Sequence, residues 1–320
     1  MSRARDFADL AGSADAGGIT GKNLIINGAM QVAQRGTSVT SVSDSETYRT
    51  IDRFKFSSNG AGPAFTESQS STAPDGFSYS FKVDCTTADT SLDADAYIIV
   101  GQGFEGQNLQ HLKKGTSSAE SVTVSFWVRS SKTGTYICEF TDDDNSRIIT
   151  ETYTILSADT WEYKTITFAG DTTGSFDNDA ERSLSLNFWL AAGSNFTSGT
   201  YSSGSWSSIN NANRVSSSMV NIADSTSNDW YITGIQLEVG EQATPFEHRS
   251  YGDELARCQR YYFKTFDPST APAQNVNTAN VVFVGGNTGS STQQKGFFSF
   301  PVQMRANPTL ITYNPYALNS

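Results

Sequence analysis

Basic clusters, long apolar runs, paired cysteines and histidines are all scarce in this sequence, and each scarcity removes a class of function. Lys and Arg number 22 against 33 Asp and Glu in 320 residues, a formal net charge of −11. The densest basic spot is the pair Lys113-Lys114. Holding nucleic acid by its phosphates takes clustered Lys and Arg, so neither nucleic acid nor an anionic membrane surface is an expected partner. The acidic balance otherwise bears on solubility and self-repulsion. No apolar run approaches the ~18 residues of a membrane-crossing helix, and membrane insertion is not expected. The opening Met1–Asp6 lacks the following apolar stretch of a signal peptide, so work outside a cell would follow release by another route. Cys85, Cys138 and Cys258 are odd in number and widely spaced, which fits neither a disulfide framework nor a CxxC metal site. They read as buried thiols of a chain made in a reducing compartment. The two histidines, His111 and His248, stand far from any GxSxG nucleophile motif.

What is present is aromatic and apolar side chains carried on Ser-, Thr- and Gly-rich connections. Aromatics make up 12% of the chain and charged residues only 17%, the reverse of a disordered composition. Residues 2–11 (SRARDFADLA) predict a short amphipathic helix with Phe7 and Leu10 on one face, too short to be stable alone. Residues 12–21 read as a flexible linker. Together, residues 1–22 suit a docking peptide that orders on a partner.

Strand signals follow in close succession from residue 23: Asn23–Met30 (an apolar run broken by Asn27-Gly28), Asp52–Phe56, Tyr79–Val83, Tyr97–Val100, Val122–Arg129, Tyr136–Phe140, Ile148–Thr154, Trp161–Phe168, Ser183–Leu190 and Trp230–Val239. In Val122–Arg129, Val122, Val124, Phe126 and Val128 share one face and Trp127 takes the other. Leu184, Leu186, Phe188 and Leu190 share the inner face of their segment. Many short alternating strands with almost no helix predict an all-β sandwich, a jelly roll, over residues 23–250. Residues 251–264 predict a helix, with Leu255, Cys258 and Tyr262 at i, i+3 and i+7. A domain boundary is expected near residue 250. Beyond the helix, Asn280–Val284, Gly296–Phe300 and Thr309–Tyr313 read as three more strands, a small C-terminal β region too thin to stand alone. No internal repeat points to a β-helix or propeller.

In order along the chain stand Asn23–Gln34 (NLIINGAMQVAQ), Asp52-Arg53-Phe54, Gly103–Leu109 (GFEGQNL), Ser125–Arg129 (SFWVR), Gly234–Gly240 (GIQLEVG) and Thr244–Tyr262 (TPFEHRSYGDELARCQRYY). This series resembles a domain recurrent in phage tail-fibre-like and minor virion structural proteins. Its body is similar to the jelly-roll carbohydrate-binding modules attached to glycoside hydrolases. The resemblance covers roughly residues 23–262. It implies a non-enzymatic virion component, a tail fibre or similar appendage. Such a component is anchored by its N-terminus to other virion proteins and presents a sandwich for attachment to the host surface. Phage appendages of this kind are homo-oligomers, here expected to be a homotrimer. A purely structural adaptor or head decoration protein without glycan binding is the alternative. Related modules hold a structural Ca²⁺ near their first and last strands, which here means the neighbourhoods of Asn27 and Glu238; no other cofactor is expected.

Candidate sites are few. Glu105, Glu162, Glu238 and Glu247 offer carboxylates for a glycosidase pair, but each falls in a strand or turn where a hydrogen-bonded carboxylate is ordinary, so no catalytic residue is assigned. The polar stretch 193–219 carries Phe196, Tyr201 and Trp206. Aromatic faces on a Ser/Gly-rich loop suit stacking against sugar rings, and they equally suit pinning a loop to a sheet. Trp127 and Trp189, inside strong strands, read as core or sheet-face residues. His248 reads as a surface or interface side chain. The acidic turn Asp142-Asp143-Asp144-Asn145 has oxygen ligands for Ca²⁺ but lacks EF-hand spacing and also fits a plain polar hairpin.

Overall fold

The computed structural model describes residues 21–43, 45–60, 62–201, 203–267, 270–274, 276 and 299–313. The expected docking helix with Phe7 and Leu10, and the expected strand Asn280–Val284, lie outside them. In chain order the strands are β1 (Ser38–Val42), β2 (Ser45–Thr47), β3 (Lys55–Asn59), β4 (Ala64–Ser70), β5 (Ser80–Thr87), β6 (Tyr97–Glu105), β7 (Val122–Ser130), β8 (Gly134–Asp142), β9 (Arg147–Ile155), β10 (Glu162–Phe168), β11 (Arg182–Ala192), β12 (Ser207–Ser208) and β13 (Asp229–Val239). Two helices join them, α1 (Ser194–Thr197) and α2 (Tyr251–Gln259).

The strands form two antiparallel sheets of the expected jelly-roll sandwich. The six-stranded sheet runs β1-β4-β5-β13-β7-β10 and the seven-stranded sheet β12-β9-β8-β11-β6-β3-β2. Strand alternation sends one face of each sheet inward. Val124, Phe126 and Val128 of β7 meet Leu186, Phe188 and Leu190 of β11, all fully buried. The Phe126 ring stands edge-on to Phe188 at 5.0 Å and to Tyr153 of β9 at 5.2 Å. Burying each such ring contributes roughly 1.5–3 kcal/mol. This apolar layer, rather than any cross-link, holds the body together: the three cysteines are free and buried.

Asn23–Met30 is not a strand. Asn27 and Met30 take left-handed backbone conformations, φ 64° and 57°, and the Asn27 amide closes its own turn. Its Nδ2 donates to the carbonyls of Val32 (2.8 Å) and Asp52 (2.9 Å), while its Oδ1 accepts from the Val32 N–H (2.9 Å). A side chain that competes for the backbone in this way favours a turn over a ladder. The segment still lies along β13. Leu24 N–H donates to the Leu237 carbonyl, and Ile235 N–H donates to the Gly28 carbonyl, both at 3.0 Å.

The helix is shorter than expected and buries a different face. It is capped by Ser250, whose Oγ accepts from Asp253 N–H at 3.2 Å, and its buried positions are Glu254 and Cys258, not Leu255. Glu254 is drawn inward because its carboxylate accepts the Asn27 N–H at 2.6 Å and lies 3.5 Å from Arg249. Arg249 donates to the Ile25 carbonyl at 2.8 Å and to that of Asn23. These contacts tie the chain on both sides of residue 250 to residues 23–27. Thr309–Tyr313 forms no strand: Leu310 and Ile311 are 76% and 67% exposed, and these residues pair with no described strand. Of Gly296–Phe300 only residues 299–300 are described, and they are not extended into a sheet.

Candidate functional site

The outward face of the seven-stranded sheet forms an open groove of about 370 Å³. Its floor is set by register. Gly101 of β6 sits opposite Asn187 of β11, which sits opposite Glu139 of β8, and the next row outward is Gly103, Ser185 and Thr141. Bare glycines are what the floor requires. A Cβ on Gly101 would stand 2.6 Å from Asn187 Oδ1 and from the Leu186 carbonyl, and one on Gly103 would stand 2.6 Å from Arg182 Cδ. The absent side chains let Asn187 and Arg182 lean across β6.

The polar groups lining the groove are held by one another. Asn187 Nδ2 donates to Glu139 at 3.1 Å and to Thr141 Oγ1 at 3.2 Å. Arg182 makes two hydrogen bonds of 2.9 Å to Asp143, which also accepts from Ser185 Oγ at 3.0 Å. Tyr97 O–H donates to Glu46, which lies 3.3 Å from Lys55. That hydrogen bond, joined by the Lys55 charge, holds the Glu46 carboxyl below the usual range against the opposing pull of burial. One end is walled by the 193–219 stretch. Arg214 reaches over Trp189, 4.9 Å from the ring centre, to Glu139. At the other end the groove opens past Tyr48, Gly103 and Arg182, which it shares with a second cleft of about 490 Å³. That cleft is lined by Arg35, Asp52, Arg53, Tyr261, Tyr262 and Arg305 among others.

Phe196, Tyr201 and Trp206 do not assemble into one exposed platform. Phe196 is 8% exposed, packed against Trp189 at 5.3 Å and Tyr97 at 5.8 Å. Tyr201 is half-buried on the same cluster. Trp206 packs separately on the main core; its Nε1 donates to the Ala169 carbonyl at 2.7 Å, and Lys114 Nζ lies 5.5 Å from its ring. The physical reason is the apolar Ile137–Trp189 patch on the outer sheet face, which Phe196 and Tyr201 cover. Trp189 is thus buried on the sheet's outer face, and Trp127 lies on the opposite sheet 5.3 Å from Tyr163. His248 is exposed and packs between Phe77 and Phe246.

The carboxylates considered for catalysis are each engaged in holding the fold. Glu105 accepts from Arg260 and from the Tyr261 and Gln107 side chains. Glu162 caps the Leu156 and Ser157 N–H groups. Glu238 accepts from Thr244 N–H and Oγ1, and Glu247 from the Gly21 and Asn23 N–H groups. In the acidic turn, Asp142 pairs with Lys114 at 2.9 Å, Asp143 with Arg182, and Asp144 accepts the Asp177 N–H at 2.9 Å. At the position considered for calcium, the Asn27 amide closes its turn as described. Among the described residues no cluster of three His, Cys, Asp or Glu is arranged to hold a metal ion.

The residues of the groove were not visible as a site in the sequence. Tyr97, Asn187, Arg182 and Arg214 are ordinary polar and aromatic side chains until the strand order brings β6 beside β11. Lys114, part of the densest basic spot, is buried between Asp142 and Asp171.

No protein-family model matches the chain, and no curated protein sequence matches it. Among solved structures, it is similar to the enzymatically active domain of tailspike protein 4 of bacteriophage CBA120, with 12% identity and a TM-score of 0.35 over 68% of this chain. The match spans only 21% of the tailspike chain. It is also similar to a family 11 carbohydrate-binding module of Clostridium thermocellum in complex with a β-1,3-1,4-mixed-linked tetrasaccharide, with 12% identity, a TM-score of 0.32, and 65% of this chain against 99% of that one. A third, TmCBM61 in complex with β-1,4-galactotriose, has 11% identity and a TM-score of 0.32 over 68% of this chain and 99% of that chain. At identities and scores this low, the likeness says nothing about what this chain binds.

Proposed function

We propose that this chain is an attachment component of a phage virion that binds a host-surface glycan in the groove on its seven-stranded sheet. The observation that carries the reading is the groove itself. It is an open channel floored by Gly101 and Gly103 and lined by amide, carboxylate, guanidinium and hydroxyl groups already fixed by mutual hydrogen bonds. Such a lining suits a polyol: sugar hydroxyls meet oriented donors and acceptors, and the Tyr97 ring at the groove end offers an apolar edge. An open groove of modest volume suits weak sites that gain strength through several copies. The virion setting is supported by the ordered motifs that resemble tail-fibre-like proteins. On this reading residues 1–22, with Phe7 and Leu10, dock on another virion protein, the chain works as a homotrimer, and its action is binding without turnover.

A glycan array probed with the full chain and with Tyr97→Ala tests it. The expected result is retention on a defined set of glycans, weakened by the substitution. A blank array with a folded protein, or hydrolysis of a bound polysaccharide, overturns it.

A further inference from the structure

The cleft that continues the groove carries an unusual charge for this molecule. The chain as a whole has a formal net charge of −11, yet Arg35, Arg53, Arg182 and Arg305 outnumber Asp52, Glu105 and Glu181 in the lining of one cleft of about 490 Å³. Arg182 and Arg305 are each paired, with Asp143 and Glu181. Arg35 is not. Its guanidinium lies 3.8 Å above the centre of the Tyr262 ring, and its nearest carboxylate, Asp52, is 3.6 Å away. That carboxylate also accepts the Gln34 backbone N–H at 3.1 Å and the Gln34 amide. Among the described residues Arg35 makes no hydrogen bond, although a guanidinium carries five N–H donors.

Arg53 supplies a second, independent observation. It is 7% exposed, it stacks 3.5 Å over the Tyr261 ring, its Nη2 donates to the Gly103 carbonyl, and its Nε is buried without a partner. Its backbone is in the left-handed region, φ 73°. A non-glycine residue there costs of order 1–3 kcal/mol, and such strain gathers at ligand sites. Two cations stacked on neighbouring tyrosines, with donors left over, are arranged for a planar anion. Arginine forks match a carboxylate in two parallel hydrogen bonds.

We propose that the Arg35–Arg53 cleft seats the carboxylate of an acidic sugar residue whose neighbours lie in the groove. This rests on the glycan reading above and deepens it, naming the ligand as an acidic glycan. The shared Tyr48, Gly103 and Arg182 make the two cavities one path.

The test is calorimetric titration of the full chain with paired sugars: a galacturonate hexamer against its fully methyl-esterified form, and sialyllactose against lactose. At least one acidic member is expected to bind about tenfold or more tightly than its neutral partner, the effect of one charge-assisted contact. Arg35→Gln is expected to erase that preference, as is raised salt, while the variant keeps a cooperative melt. Arg35→Lys should fail to restore it, because a point charge cannot form the fork. Should Arg35→Gln not fold, Arg305→Gln on the cleft rim is expected to reduce the same preference. Neutral sugars binding as well as acidic ones, or an acidic preference that survives Arg35→Gln, overturns the inference and leaves the groove reading standing. No binding by either kind overturns both.

Discussion

Arg214 and Glu139 join the polar loop to the sheet beneath it: Arg214 Nε and Nη2 donate to the two oxygens of the Glu139 carboxylate at 2.9 and 2.6 Å. Glu139 is fully buried in β8 and its partner is 16% exposed. The pair is a bidentate clamp that holds the 193–219 stretch as a wall of the groove. Removing one member of a buried pair leaves an uncompensated charge. Arg214→Ala is therefore expected to cost about 3–5 kcal/mol in denaturant unfolding. The double variant Arg214→Ala/Glu139→Gln is expected to recover part of it. Equal losses in the single and double variants would show that the stranded charge is not the cause.

Gly28 touches β13 where no side chain fits. A Cβ there would lie 2.1 Å from the Ile235 carbonyl oxygen, a backbone atom that cannot turn aside. Gly28→Ala is expected to destabilise the chain by about 1–3 kcal/mol, the usual cost of overpacking. A thermal melt unchanged by the substitution would mean that residues 23–30 do not sit against β13 as described.

Glu67, buried in β4, gives the stability a pH dependence of known sign. Burial raises its carboxyl from 4.5 to about 7, against the opposing pull of Arg49 at 2.7 Å. A carboxyl that holds its proton more tightly in the folded state contributes stability fully present below its unfolded value and lost as pH rises through the folded one. Between about pH 5 and about pH 8 the wild type should therefore lose on the order of 2–3 kcal/mol relative to Glu67→Gln. Parallel stability curves for the two proteins would contradict the assignment.

Trp206 is a pin, not a platform. With its Nε1 on the Ala169 carbonyl and Lys114 against its ring, Trp206→Ala is expected to lower stability by roughly 1–3 kcal/mol. Glycan-array signals should stay in place. Loss of binding with an unchanged melt would return the site to this loop.

How much of this was legible in the sequence follows from the range over which each signal acts. The strands around Val124, Phe126 and Phe188 show because a period of two is local and their inward faces are apolar. The helix after Ser250 shows because the spacing of Leu255, Cys258 and Tyr262 is local too. Its buried face does not, since Glu254 turns inward only to meet the Asn27 backbone from more than two hundred residues away. Asn23–Met30 reads as a strand because its apolar run is genuine; the Asn27-Gly28 break in it is visible, but the bond of Asn27 to the distant carbonyl of Asp52 is not. The aromatics of the 193–219 stretch read alike whether they face sugar or sheet. Only the apolar Ile137–Trp189 patch on the outer sheet face, created by pairing β8 with β11 and buried beneath the loop, decides between the two. The groove is a product of strand order, and nothing in Gly101, Gly103 or Asn187 taken singly announces it.

The most direct measurement compares the two sheet faces. The glycan found on the array is titrated by calorimetry into the wild type, Asn187→Ala from the groove, and Tyr163→Ala from the aromatic patch beside Trp127 on the opposite sheet, with melts taken in parallel. Binding in the groove predicts that Asn187→Ala weakens affinity by about tenfold or more while Tyr163→Ala leaves it unchanged. Affinity lost with Tyr163→Ala and kept with Asn187→Ala would contradict it.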